Sequence, residues 1–413
     1  MGERRRNPLL EHYFDTPVAA YSAKAAPKVA AFLAALDTEE PIVLRTIQHL
    51  AFGGVPEECR GLRALVWRLL LGYLPTQSDQ WEDTLKRQRD NYALFRCDLL
   101  QLTPPTQDPC DHPLSTALGS KWKEYYEDQE VWEDIEKDIK RTRPDMSFFF
   151  QPADPTITLE DVVARRKPVQ PFKRPFSSVF NEYYSADVAA VNDYTRLILN
   201  NEFIEKHADV MARILFIYAK LNPGIKYIQG MNEILAPVYY ALAHDSNTPF
   251  RESAEADAFY CFTSLMSEIR DSFVRSLDMD SLGLSGKMRT VSELLGRLVP
   301  EVGRHLEALG IQPYYYAMKW VMLLFTQDFE LPDIMRLWDS FLADEERFQF
   351  FYYACIAMVE LNKDEVLKGD FGEVLNILQH PVNFDVTQLL ECAVRLKEQD
   401  RVHSARHNSL LPP

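Results

Sequence analysis

Along most of this chain apolar residues return every third or fourth position, and no segment alternates convincingly between apolar and polar. Leu62, Leu65, Val66, Leu69 and Leu70 set the pattern. Such spacing lines one face of an α-helix, whereas a half-buried strand needs a period of two. Val210, Ile214, Ile217 and Leu221 form a second stripe, stopped by Asn222-Pro223-Gly224. Tyr227, Met231, Ile234, Leu235 and Val238 form a third, with Pro237 expected to kink it. Ala258, Phe262, Leu265, Ile269 and Phe273 form a fourth. Tyr315 to Phe325 and Ile334 to Phe341 add two more, the latter opened by Pro332 and Asp333 as first-turn residues. Residues 348–361 are apolar almost all round, which predicts a buried helix. No fixed-period repeat accompanies these stripes, so a solenoid is not expected. The class is all-α.

The first half reads less regularly. A short Ala-rich helix is predicted around Lys28–Leu36, and another beginning near Pro41 with Thr38 as its cap. Gly53-Gly54-Val55-Pro56 stops it, and a further helix runs from about Arg60 to Tyr73. Residues 82–102 and Lys121–Arg141 are helical in period. From about 152 to 200 proline punctuates a locally basic stretch, which reads as a surface insertion. The polar residues after 398 read as a disordered tail.

With 413 residues, two or three folding units are expected, and 46% hydrophobic residues guarantee a core. A formal charge of -16 argues against nucleic acid as the main ligand. No pair of the six cysteines has C-x-x-C spacing, so neither a zinc ribbon nor a redox dithiol is expected. A reduced cytosolic compartment fits that usage. No apolar run follows the basic start, and none is long enough to span a bilayer. His403 and His407 stand four apart, but in a polar tail without a third ligand, so no metal site is expected there. The P-loop, G-x-G-x-x-G, G-x-S-x-G and H-E-x-x-H patterns are all missing.

Two segments stand out against this plain background. Ile135-Glu136-Lys137-Asp138-Ile139-Lys140-Arg141 ends a helix that Pro144 prevents from extending. Asp138 lies one turn before Arg141, where its carboxylate can hold the guanidinium. Tyr227-Ile228-Gln229-Gly230-Met231-Asn232 follows the Asn-Pro-Gly break, and Gln229 near a helix start can project outward. Taken singly, each has an ordinary reading: an i,i+3 ion pair is usually a solvated surface pair, and a Gln before Gly is usually a turn residue.

Taken together and in order, they resemble the TBC-type Rab GTPase-activating family. Ile135, Asp138 and Arg141 match its I-x-x-D-x-x-R motif, and Tyr227, Gln229 and Gly230 its Y-x-Q-G motif, continued by Asn232. Gly54-Val55-Pro56, Arg60, Arg63 and Trp67 match the opening segment. Trp320, Phe325, Leu331-Pro332, Arg336 and Trp338-Asp339 match the late one. The resemblance covers about residues 50 to 345. The phrases Arg213–Gly224 and Ala254–Asp257 are similar to one branch of the family in particular.

The resemblance implies a multi-helical fold of two helical subdomains. Residues 1–49 would be an N-terminal extension, 50–345 the domain itself with its insertion at about 152–200, 346–398 helices packed on it, and 399–413 the tail. It implies stimulation of GTP hydrolysis on a Rab, with an arginine finger, Arg141, and a glutamine finger, Gln229, supplied in trans. Such a chain activates a hydrolase rather than being one, and carries no cofactor: GTP and Mg²⁺ belong to the Rab. Asp138 would hold Arg141, while Ile135 and Tyr227 anchor the fingers, with Gly230 and Asn232 in support. Arg60, Arg63, Trp67, Arg336, Trp338 and Asp339 would be structural or Rab-contacting, structure being favoured. Eighty-seven residues separate Arg141 from Gln229, much of the excess being the insertion. The implied setting is cytoplasmic vesicle trafficking, with peripheral recruitment to endomembranes through partners. A Rab-binding scaffold with little activity is the alternative. A weaker signal, Arg165-x-x-Pro168-x-x-Pro171, fits an SH3 ligand within 165–175.

Overall fold

A computed structural model describes residues 7–100, 105, 111–115, 117, 119–154, 205–273, 283–381 and 385–409. The insertion from residue 155 onward, the 165–175 motif, and the side chain of His407 lie outside that description. The described residues form helices, with no strand among them; an isolated bridge joins Pro152 and Lys206. None of these helices is long and apolar enough to cross a membrane.

The chain divides into two compact units, Met1–Leu85 with Tyr240–Pro413, and Lys86–Tyr239. The first is organised round the helix Leu331–Ala343. Pro332 and Asp333 stand in its first turn, and Ile334, Leu337, Trp338 and Phe341 are buried along it. Trp338 donates its indole N–H to the Leu324 carbonyl at 3.0 Å. That carbonyl is free because Leu324 and Phe325 turn left-handed, with φ of 48° and 65°, and end the helix Ala317–Leu323. Asp339 is fully buried and takes the Val55 N–H at 2.9 Å, the Trp67 indole at 2.8 Å and the Arg63 Nε at 3.1 Å. One carboxylate thus fastens the Gly54-Val55-Pro56 turn and the helix Leu62–Leu70 to the helix Leu331–Ala343. Arg336 bonds Ser340 Oγ at 2.8 Å and lies so close over Gly54 that a Cβ there would come 2.7 Å from its Nε. Arg60 is exposed, its carbonyl accepting from Ser246 Oγ at 2.6 Å.

A second buried polar group has no counterpart in the sequence reading. Arg68 is fully buried, donating to Asp245 at 2.6 Å and to Asp257 at 3.1 Å. Tyr13 donates to Asp245 at 3.0 Å and Tyr73 to Asp257 at 2.7 Å. Through Tyr13 the helix Pro8–Phe14 is fixed to this unit. Gly61, with φ of 83°, lets the chain pass against Asp245 and enter the helix Leu62–Leu70. Gly61→Ala would set a Cβ against that carboxylate and strain the left-handed backbone. It should lower unfolding free energy by about 2 kcal/mol, read from a urea titration.

Several boundaries differ from expectation; the helix expected to reach Arg141, for one, ends at Ile139. The helix expected near Pro41 starts at Leu44. The Ile42 N–H bonds the Thr76 carbonyl at 2.8 Å, holding that stretch extended, and Thr38 Oγ1 accepts from Glu40 instead of capping. Tyr227 lies in irregular chain before the helix that follows, which begins at Met231. Of the tail expected to be disordered after 398, residues 399–409 belong instead to the helix Val386–Ser409, and the last four lie outside the described residues. Asp400 is buried in it, accepting from Arg297 Nε at 2.6 Å and Tyr353 at 2.8 Å, and those bonds extend the helix beyond its apolar stripe.

Candidate functional site

Both unusual segments lie in the second unit, and two packed helices bring them together. Ser120 caps the helix Lys121–Ile139, accepting from the Lys123 N–H at 3.2 Å. Trp132 meets Phe216 of the helix His207–Leu221 edge to face, ring centroids 5.3 Å apart. Lys220 reaches across to Asp128 and Glu124, each at 2.9 Å. With these helices fixed, the chain leaving the first at Lys140 meets the chain leaving the second at Asn222.

Each exit is shaped by left-handed residues. Arg143 has φ of 46° and, with Pro144, takes the chain away from the helix end. Its guanidinium is buried 3.8 Å from Glu233. Lys226 has φ of 60°, so the chain reverses before Tyr227. Gly230 has φ of 103°, which a side-chain-bearing residue seldom adopts, and its carbonyl accepts from Glu233 and Ile234 to start the next helix.

Asp138 is the meeting point. One carboxylate oxygen accepts from Arg141 Nη2 at 2.7 Å, the other from the Tyr227 hydroxyl at 2.8 Å. The hydroxyl also lies 3.2 Å from Asn232 Oδ1, but its single proton belongs on the closer, charged acceptor. Burial, and then the neighbouring Asp138 carboxylate, push the Tyr227 phenol far above its usual range, so it remains a donor. Ile135 is fully buried beneath this point. Arg141 adds a bond from Nε to the Lys137 carbonyl at 3.2 Å, yet 68% of its side chain stays in solvent. Gln229 is exposed as well, and its side chain has no hydrogen bond among the described residues.

Behind them Asn232 is buried. Its Oδ1 accepts from the Gly230 N–H at 3.1 Å and its Nδ2 donates to Thr142 Oγ1 at 2.8 Å. Thr142, almost completely buried, returns its own proton to the Asp138 carbonyl at 3.0 Å. Sequence reasoning did not single out Thr142; a short hydroxyl just beyond a helix end is common, and no spacing marks it.

The arrangement therefore holds an exposed, permanently charged guanidinium and an exposed amide on two segments joined by buried hydrogen bonds. A guanidinium can compensate charge on phosphate oxygens, and an amide can both donate to and accept from a water. The remaining candidates belong to the first unit. Arg63, Trp67, Arg336 and Asp339 form the polar fastening round Asp339 and Gly54 described above, Trp338 bonds the Leu324 carbonyl, and Arg60 is exposed.

Comparison with known proteins bears on what this site serves. The family profile of the Rab-GTPase-TBC domain matches residues 182–367, a span that includes Gln229 but not Arg141. TBC1 domain family member 13 of Homo sapiens is 37% identical over 385 residues, covering 87% of this chain and 95% of that protein. A TBC domain-containing protein of Schizosaccharomyces pombe is 34% identical, covering 88% of this chain and 71% of its own length. Among solved structures, the Ypt/Rab-GAP domain of Gyp1p superposes with a TM-score of 0.64, over 91% of this chain and 98% of that one. At 18% identity, that likeness speaks for the fold.

Proposed function

This chain belongs to the Rab-GTPase-TBC domain family, and from that premise we propose that it stimulates GTP hydrolysis by a Rab GTPase, supplying Arg141 and Gln229 in trans. The observation that carries the reading is the bond pair on Asp138, whose carboxylate holds Arg141, three residues on, and Tyr227, 89 positions along the chain. Phosphoryl transfer needs an oriented water and compensation of charge on the transferring group, and little covalent help. Arg141 serves the second need and Gln229 the first. The nucleotide and its Mg²⁺ are the Rab's substrate and ion, so this chain contributes side chains alone. The domain is assigned to 50–345, and its setting to the cytoplasmic face of endomembranes reached through partners.

Single-turnover hydrolysis across a panel of GTP-loaded Rabs tests the proposal, using the wild type, Arg141→Ala and Gln229→Ala. One or a few Rabs should respond to the wild type. Gln229→Ala should lose about 10²-fold of that stimulation, the scale of a misplaced reacting group. A Rab that binds the wild type without faster hydrolysis would favour the scaffold reading. Variants matching wild type on a responsive Rab would remove the two residues from the mechanism.

A further inference from the structure

We propose that Thr142 is a positioning residue that sets the glutamine-bearing turn against the arginine-bearing helix end, an inference that rests on the finger reading above. Two buried routes join the segments. The first runs from the Asp138 carboxylate to the Tyr227 hydroxyl and ends two residues before Gln229. The second runs from the Asp138 carbonyl through Thr142 Oγ1 and the Asn232 amide to the Gly230 N–H, immediately after Gln229. Gln229 is thus held by its backbone on both sides, and both routes converge on the residue whose carboxylate orients Arg141.

Proton direction makes the second route specific. A hydroxyl has one proton to give and lone pairs to receive. Thr142 gives its proton to the Asp138 carbonyl and receives from Asn232 Nδ2, which leaves Asn232 Oδ1 facing Gly230. The amide is therefore fixed against flipping by the hydroxyl behind it. Valine has the same shape and can do neither. With Thr142→Val, Asn232 loses one of the partners that fix its orientation, and the buried Nδ2 is left unsatisfied. The Gly230 amide is then held less often, and the root of Gln229 moves. A displacement of about 1 Å in a positioned group can cost about 10²-fold in rate.

The test combines kinetics with a readout needing no Rab. Thr142→Val should lower the stimulated rate constant on the responsive Rab about tenfold with KM for the Rab little changed, the scale of one buried hydrogen bond lost. Thr142→Ser keeps both bonds and should stay within about twofold of wild type. In a Gln229→Ala background Thr142→Val should cost less than about twofold, since the group it positions is gone. In the free protein, hydrogen exchange at the Gly230 amide should quicken about tenfold in Thr142→Val and not in Thr142→Ser. If Thr142→Val does not fold, Thr142→Ala supplies the same comparison. The inference is overturned by wild-type rates in Thr142→Val, by an equal loss with and without Gln229, or by unchanged exchange at Gly230. If the wild type stimulates no Rab, the functional reading fails, while the exchange measurement still decides whether Thr142 holds the turn.

Discussion

Arg141→Lys is expected to abolish at least about 10³-fold of the stimulated hydrolysis on a responsive Rab, the lower end of what trans arginines supply. Charge is conserved in this substitution, so the loss isolates geometry. Arg141 reaches the Lys137 carbonyl through Nε and Asp138 through Nη2, which fixes the plane of the guanidinium while its rim stays in solvent. An ammonium has no plane and no second edge. Lysine at 141 would be drawn to Asp138 as a point charge, with no fork left to present to phosphate oxygens. Because the side chain is largely exposed, the variant should melt like wild type, and its affinity for GTP-loaded Rab should change by no more than about threefold. A variant that keeps more than a tenth of the stimulation would defeat the assignment of Arg141 as the finger.

The largest stability effect is expected at Arg68. Arg68→Met should lower the unfolding free energy by about 3–5 kcal/mol, because it leaves Asp245 and Asp257 buried without their cation. Arg68 also lies over the Phe250 ring, 4.2 Å from its centroid, so methionine retains some of that apolar contact but none of the charge. Guanidinium unfolding gives the number directly. Adding Asp245→Asn and Asp257→Asn to Arg68→Met should recover a large part of the loss, since a wholly neutral site has no uncompensated charge. The account is wrong if Arg68→Met alone stays within 1 kcal/mol of wild type (about a fivefold change in the unfolding constant).

What the sequence disclosed and what it hid differ in physical kind. Helices with one apolar face were readable because burial writes itself into spacing: the stripe Val210, Ile214, Ile217 became the helix His207–Leu221. Asp138 lies in the last turn of the helix Lys121–Ile139 and Arg141 three residues on, just past its end, so their bond could be anticipated from spacing alone. Boundaries set by distant partners were not readable. Nothing near Ile42 announces that its N–H is taken by Thr76, and nothing near residue 400 announces Arg297 and Tyr353. The buried ion group was hidden for a related reason. Arg68 stands inside the run Leu65–Leu71, while its two carboxylates come from Asp245 and Asp257, far along the chain. Thr142 was hidden because its significance lies in the direction of two protons, which spacing does not encode.

The bonding of Arg141 has a consequence for how a phosphate could approach it. A guanidinium carries five N–H groups, and two of them are engaged here, on Lys137 and Asp138. Three remain uncommitted among the described residues, on a side chain that is mostly in solvent. An incoming anion with two oxygens can be met by these without displacing either resting bond. On the proposed reading, a finger held this way has nothing to unlock, and the groups that orient it, the Lys137 carbonyl and the Asp138 carboxylate, can stay in place when a Rab docks. On that reading, little of the affinity for a Rab is diverted into rearranging this residue, and its contribution to the rate is available as soon as the surfaces meet.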